Sequence, residues 1–226
     1  MNLTNLETAL GYSFKDKALL KESLTHRSYL NENPSWSVPH NERLEFLGDA
    51  VLELVVTEDL MNRFPDDDEG KLTALRASLV NYQSMAETAA QIDLGKSVLL
   101  SRGEAKDMGR AREVILANAM EAVIGALYLD GGYPACKRFI GETVMKRLQG
   151  VMKEGYRDPK SILQETTQAK RKLTPVYKVL GETGPEHKKI FRVGVYFENA
   201  LIAEGEGYSK QDAEVEAAKA ALEKIG

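Results

Sequence analysis

The sequence predicts an all-α domain over residues 1–150, a linker over 151–157, and a small α+β module of order α-β-β-β-α over 158–226. Three observations carry this reading. Before residue 150 apolar residues recur at helical spacing, and no stretch alternates with period two. After residue 158 alternation sets in, most clearly where Phe191, Val193, Val195 and Phe197 are separated by Arg192, Gly194 and Tyr196. Between the two lies Gly150-Val-Met-Lys-Glu-Gly-Tyr-Arg157, a short connector without apolar periodicity.

Taken in order, residues 3–30 read as two helices, the second over Lys15–Tyr29 with Leu19, Leu20 and Leu24 as its apolar contacts. Asn31 to His40 holds two prolines and Ser-Trp-Ser, which marks a loop. A helix then runs from Glu42 to about Phe64 and stops at Pro65. Pro65-Asp-Asp-Asp-Glu-Gly70 is a turn, and Lys71–Leu94 returns to helical periodicity. The glycine-punctuated segment Ser101–Gly109 is a loop. Val114–Tyr128 is a helix that ends at Asp130-Gly-Gly132, and a last helix spans Pro134–Lys153. In the module, Pro159–Lys172 is helical with Ile162 and Leu163 inward. Strands follow at Pro175–Gly181, Ile190–Phe197 and Leu201–Gly207, the last reached through the turn Glu198-Asn-Ala200. A closing helix from Gln211 to Ile225 lines Ala213, Ala217, Ala221 and Ile225 along one side, small enough to lie close on a sheet.

Composition is that of an ordinary globular protein, 43% hydrophobic and 28% charged over 226 residues. The formal charge of −4 is unevenly spread. Residues 158–226 carry 11 Lys+Arg against 11 Asp+Glu, so the whole acidic excess, 23 against 19, lies before them. The start of the chain lacks a basic segment followed by an apolar one, so no signal peptide is expected. No uninterrupted apolar run reaches membrane-spanning length, and no membrane partner is expected. The single cysteine, Cys136, reads as a small buried residue in a reducing, cytoplasmic setting.

Two helices carry candidate chemistry. At about 100° per residue, Glu42, Glu45 and Asp49 fall on one side of the Glu42–Phe64 helix, and Leu44, Leu47, Val51, Leu54 and Val55 on the other. No Lys or Arg stands at i+4 to relieve the three acids. Such a stripe is either a solvated face or a site for a hard cation, since Mg²⁺ takes carboxylate oxygens while keeping several waters. The Val114–Tyr128 helix is apolar on every side except at Asn118 and Glu121, which stand at i, i+3. A buried carboxylate is costly unless something pairs with it. An Arg or a proton could satisfy Glu121, but a divalent cation shared with the first helix accounts for both helices together. Phe46 lies at the acidic edge rather than on the apolar stripe, and so suggests an interface, with packing inside its own subunit as the alternative.

Asn41-Glu-Arg-Leu-Glu-Phe-Leu-Gly-Asp49 resembles the signature of the ribonuclease III family, endonucleases that cut double-stranded RNA. The likeness continues in His26-Arg-Ser-Tyr29, in Asp68-Glu-Gly70 and in the Glu121 helix, and covers essentially the whole chain. The resemblance implies a metal-dependent endoribonuclease holding Mg²⁺, for which Mn²⁺ can substitute, at Glu45, Asp49, Asn118 and Glu121. Asp49 and Glu121 are then catalytic, and Glu42 and Glu69 are outer helpers, although Glu69 is equally well explained as an acid at a helix N-terminus. No small-molecule cofactor is implied. The resemblance further implies a homodimer in which Phe46 enters a pocket of the partner, 5′-phosphate products with short 3′ overhangs, and a role in processing ribosomal and other RNA precursors.

The α-β-β-β-α module resembles a double-stranded-RNA-binding domain, whose contacts fall on Ser161, Gln164 and Gln168 of the first helix, on Pro185 and His187 of Gly184-Pro-Glu-His187, and on Ser209 and Lys210. Lys210-Gln-Asp212 has fewer basic residues than is common there, so Lys170-Arg-Lys172 and Lys188-Lys189 are candidates to share the contact. A second departure is Asn118, where the family has Asp. An amide still offers an oxygen but brings no charge, which leaves a silent double-stranded-RNA binder as the alternative function.

Overall fold

The computed structural model of the chain describes residues 3–106, 109–154, 159–184 and 189–225. They fall into two compact units, Met1–Tyr156 and Arg157–Gly226, each with its own apolar core.

The first unit is helical, with α1 (Leu3–Leu10), α2 (Lys17–Ser23), α3 (Arg27–Glu32), α4 (Glu42–Arg63), α5 (Glu69–Val80), α6 (Tyr82–Gln91), α7 (Arg110–Glu142) and α8 (Leu148–Glu154). Among its described residues the only β pairing is an isolated bridge between Thr25 and Leu99. That bridge corrects the expected Lys15–Tyr29 helix, which is two helices. Leu24 accepts from the Leu99 amide at 2.8 Å, the His26 amide donates to the Leu99 carbonyl at 3.1 Å, and Thr25 accepts from the Asn41 amide at 2.9 Å. Backbone groups bonded to remote segments in this way cannot continue a helical ladder. The expected Lys71–Leu94 helix is likewise broken. Asn81 takes an extended conformation and its side chain accepts from the Ser84 amide at 2.9 Å, capping α6.

The long helix α7 is the centre of this unit, buried almost continuously from Ala117 to Leu127. It turns at Gly132, whose φ of 71° suits glycine, and Pro134 follows. By length and composition Arg110–Lys153 could cross a membrane, which the sequence reading did not expect. Its apolar sides nonetheless pack in the core with α4 and α6. Cys136 is fully buried there, its thiol donating to the Ile124 carbonyl at 3.7 Å, and burial pushes that thiol up to about 12.

On α4 the buried arc holds Leu44, Gly48, Val51, Leu52, Val55, Val56 and Leu60. Leu54, expected on the apolar side, is 57% exposed. The arc is centred near Gly48 and Leu52, and Leu54 projects about 120° from Gly48 around the helix. The same rotation leans Glu45 inwards, so that it is half-buried while Glu42 and Asp49 remain exposed.

The second unit comprises α9 (Pro159–Arg171), β1 (Val176–Thr183), β2 (Ile190–Phe197), β3 (Ala200–Gly207) and α10 (Lys210–Ile225). The strands form an antiparallel meander in the order β1-β2-β3, with Val179 opposite Val193 and Val193 opposite Gly205. Val193, Val195 and Phe197 are buried, and α10 closes over the sheet through Ala213, Ala217, Ala218 and Ala221. Leu163 of α9 is fully buried in the same core, a side chain whose removal from water is worth about 1.5–3 kcal/mol. Ile162, expected inward, is only half-buried.

Candidate active site

The acidic cluster is positioned by the contact between α4 and α7. A Cβ on Gly48 would fall 1.7 Å from the Glu121 carbonyl oxygen, and one on Gly125 would fall 2.1 Å from the Leu44 carbonyl oxygen. The two backbones therefore touch at a point only glycine can occupy. Glu45 and Asp49 flank Gly48 on one helix, and Asn118 and Glu121 precede Gly125 on the other.

Electrostatics tie these side chains together. Burial pushes the Glu121 carboxyl up to about 7, and the charges of Asp49 and then Glu45 push the same way. Glu45 is also raised, first by burial and next by Glu42; a hydrogen bond from Asn118 opposes the rise and Asp49 adds to it. Among the described residues Glu45, Asp49 and Glu121 form no ion pair. Glu42 differs, because Arg27 stands 3.3 Å and His40 3.8 Å from its carboxylate. As they stand, no three His, Cys, Asp or Glu groups among the described residues are gathered closely enough to hold a metal ion. The arrangement is one of repelling carboxylates that lack a cationic side chain, with hard oxygen donors as the chemistry on offer.

On the second unit, Ser161, Gln164 and Gln168 lie on the exposed face of α9, opposite the buried Leu163 and Thr167. Ser209 caps α10, its hydroxyl oxygen accepting from the Asp212 amide at 3.0 Å. Lys210 opens that helix, exposed, with its ammonium 6.0 Å from the centre of the Phe191 ring. Pro185, His187 and Lys188 lie outside the described residues, as do residues 155–158 around the expected linker.

Comparison with known proteins adds the decisive observation. The family model described as "Ribonuclease-III-like" matches residues 16–148, and "Double-stranded RNA binding motif" matches residues 159–225. The chain belongs to the ribonuclease III family. It is 46% identical to "Ribonuclease 3" of a Nitratiruptor species over 97% of its own length and 95% of the relative's. It is 47% identical to "Ribonuclease 3" of Oleidesulfovibrio alaskensis, covering 96% and 95%. A solved nuclease domain of ribonuclease III from Campylobacter jejuni superposes with a TM-score of 0.58 at 44% identity, covering 64% of this chain and 97% of that one. Membership with both units present makes the chain an endoribonuclease of double-stranded RNA, and the silent-binder alternative is not favoured.

Within one chain the fold brings Glu45, Asp49, Asn118 and Glu121 into mutual electrostatic reach, with Glu42 at their edge. Glu69 stands elsewhere. It lines a cavity of about 410 Å³ with Thr57, Leu60, Met61, Leu72, Thr73 and Arg76. Thr57 is eight residues beyond Asp49 on α4, about 12 Å along the axis, and Glu69 is not among the charges acting on Glu45 or Glu121. The cap of α5 is Asp68, whose carboxylate accepts from the Lys71 amide at 2.8 Å. Sequence reasoning missed Gly125. Its signal was available, since a glycine inside an otherwise apolar helix costs about 1 kcal/mol against alanine and so implies a packing reason. It also missed Arg27 and His40 as partners of Glu42, for which spacing offered no signal.

Proposed function

We propose that the chain hydrolyses phosphodiester bonds of double-stranded RNA at the Glu45–Asp49–Asn118–Glu121 cluster, with Mg²⁺ as the held cation and Mn²⁺ able to replace it. The observation that supports this is a set of like-charged carboxylates on two touching helices, none paired with a cationic side chain among the described residues. The four side chains offer only oxygen ligands, three of them carboxylates, which suits a hard divalent ion. When bound, such an ion lowers the pKa of a coordinated water and stabilises charge growing on the phosphate. Hydrolysis would join a water oxygen to phosphorus as the bond to the 3′ oxygen breaks, with a proton delivered to that leaving oxygen, giving a 5′-phosphate and a 3′-hydroxyl. Glu121, protonated below about pH 7 in the metal-free protein, must release its proton to ligate, so cation affinity falls below that pH. Glu42, bonded by Arg27 at 3.3 Å, stands at the edge of the cluster as an outer helper.

Ser161, Gln164 and Gln168 are suited to 2′-hydroxyls in a minor groove, and Ser209 with Lys210 to phosphate at the N-terminus of α10. Phe46, 83% exposed, adjoins a cavity of about 690 Å³ lined by Leu19, Leu44, Leu47 and Leu129 with Glu22, His40, Glu42 and Arg43. A projecting ring beside its own socket is self-complementary about a two-fold axis, which supports a homodimer. The Campylobacter jejuni structure concerns a region involved in dimer formation of that nuclease domain. A cytoplasmic location is the reading that goes with a ribonuclease III acting on RNA precursors.

The test is cleavage of end-labelled duplex RNA with Mg²⁺ or with EDTA, for the chain and for Glu121→Gln. Cleavage only with the metal, lost in the variant while duplex binding persists, is the expected result. Cleavage in EDTA, or full activity of Glu121→Gln, removes the cluster from the chemistry.

A further inference from the structure

Asn41 stands directly before α4, where an asparagine ordinarily caps its helix with its own side-chain oxygen. Here it does not. Its backbone is already helical, with φ of −78° and ψ of −8°, and its side chain makes no capping bond. The residue is instead 2% exposed, and its amide nitrogen donates to the Ser23 carbonyl, eighteen residues back, at 3.4 Å. Its backbone amide donates to the Thr25 carbonyl at 2.9 Å, and its own carbonyl accepts from the Glu45 amide at 2.9 Å. Ser23, Thr25 and Asn41 are three of the six buried polar residues among those described. The hydroxyls of Ser23 and Thr25 turn back onto the Leu20 and Lys21 carbonyls of α2, whereas the carboxamide of Asn41 crosses from one element to another.

The segment that Asn41 grips is itself tied towards α7. The Leu99 amide donates to the Leu24 carbonyl and the His26 amide to the Leu99 carbonyl. In the same stretch between α6 and α7, the Gly95 carbonyl accepts from Arg112 of the first turn of α7 at 3.0 Å. The glycine contact at Gly48 and Gly125 sets how closely α4 and α7 approach, but a single point of contact leaves a helix free to pivot about it. A second tie, placed ahead of Glu42 and Glu45, removes that freedom. We propose that Asn41 is a positioning residue for the acidic cluster: its buried carboxamide gives up helix capping to fasten the first turn of α4 to the Ser23–Thr25 segment, and so holds Glu42 and Glu45 in place against α7. This inference rests on the metal reading given above.

Three variants separate this role from capping. Asn41→Ser and Asn41→Asp cap a helix about as well as asparagine, but serine is too short to reach the Ser23 carbonyl and an ionised aspartate has no donor for it. Asn41→Ala lacks both functions. Cleavage of duplex RNA along an Mg²⁺ titration should show all three variants losing about 10–100-fold in kcat or in apparent Mg²⁺ affinity, as when a group that orients a metal ligand is removed, with KM for the duplex unchanged. Amide hydrogen exchange in EDTA, without RNA, supplies a second reading. In the parent the Asn41 and Glu45 amides should be protected like those of Val55 and Val56 in the middle of α4; in Asn41→Ser they should exchange faster while Val55 and Val56 do not change. A serine or aspartate variant with the parent's kcat and Mg²⁺ dependence overturns the proposal, even if it melts lower. So does a parent whose Asn41 amide exchanges as freely as a frayed helix end, a result that stands even if no variant folds. A parent that cleaves as well in EDTA as in Mg²⁺ overturns the metal reading instead, while the exchange pattern still judges the tie.

Discussion

Gly125→Ala is a one-carbon change in the middle of the core, and its effect follows from the distances at the helix contact. The added Cβ falls 2.1 Å from the Leu44 carbonyl oxygen and 3.1 Å from the Gly48 amide nitrogen, where real contacts essentially never come under 3.0 Å. These are backbone atoms within helices and cannot rotate away, so α4 and α7 must part by roughly 1 Å locally. Overpacking of this kind costs about 1–3 kcal/mol, or about 2–10 °C of melting temperature in a chain of this size. Function should suffer more than stability. The contact sets the spacing between Glu45 and Asp49 on one side and Asn118 and Glu121 on the other. Mg²⁺ accepts oxygens only near 2.0–2.1 Å, and a 1 Å misplacement at a reacting centre costs on the order of 100-fold in rate. Gly141→Ala is the control, since nothing lies within 4 Å of its added Cβ on the same helix and removing a helical glycine should stabilise by roughly 0.5–1 kcal/mol. The assay is the initial rate of duplex cleavage along an Mg²⁺ titration, with melting followed by circular dichroism. Gly125→Ala should need more Mg²⁺ and cut about 100-fold more slowly while still folding, and Gly141→Ala should match the parent in rate and Mg²⁺ dependence. If Gly125→Ala keeps the parent's metal dependence and rate, the helix contact does not set the site.

Three other outcomes are expected. Phe46→Ala should shift the proposed dimer towards monomer by sedimentation, by about 3–5 kcal/mol if its socket is left empty; an unchanged dimer constant would show that Phe46 does not enter a partner. A truncated chain ending at residue 150 should still cleave at low salt but lose most duplex affinity near physiological salt, because phosphate contacts are screened. Equal affinity of the truncated and full chains at both salts would refute an RNA-binding role for the second unit. In EDTA, stability should fall as pH rises. Glu121 has its carboxyl raised from 4.5 to about 7 in the folded chain, so the folded state holds the proton more tightly. The resulting stability is complete below pH 4.5 and is lost as pH passes 7. Melting temperatures from pH 5 to 8 should therefore decline in the parent and less steeply in Glu121→Gln, whose amide does not titrate; parallel profiles would refute the shift.

Local periodicity alone was enough to read α4 with its stop at Pro65, the alternating β2, and the alanine face of α10, because spacing along the chain decides each. The pairing of Glu45 and Asp49 with Asn118 and Glu121 was legible as a candidate for the same reason, since an acid in an apolar helix demands a neighbour. The cap that divides α5 from α6 could also have been read, from Asn81 followed by Ser84. What only the tertiary structure decided depends on surfaces remote in sequence. Thr25 leaves the helical ladder because Leu99 and Asn41 bond to its neighbourhood. Leu54 turns outwards and Glu45 inwards because α4 is docked on α7 through Gly48 and Gly125, a contact made of two absent side chains that no apolar pattern records. The rise of Glu121 towards 7 belongs to the same class, since desolvation and the charges of Asp49 and Glu45 exist only once that contact has closed.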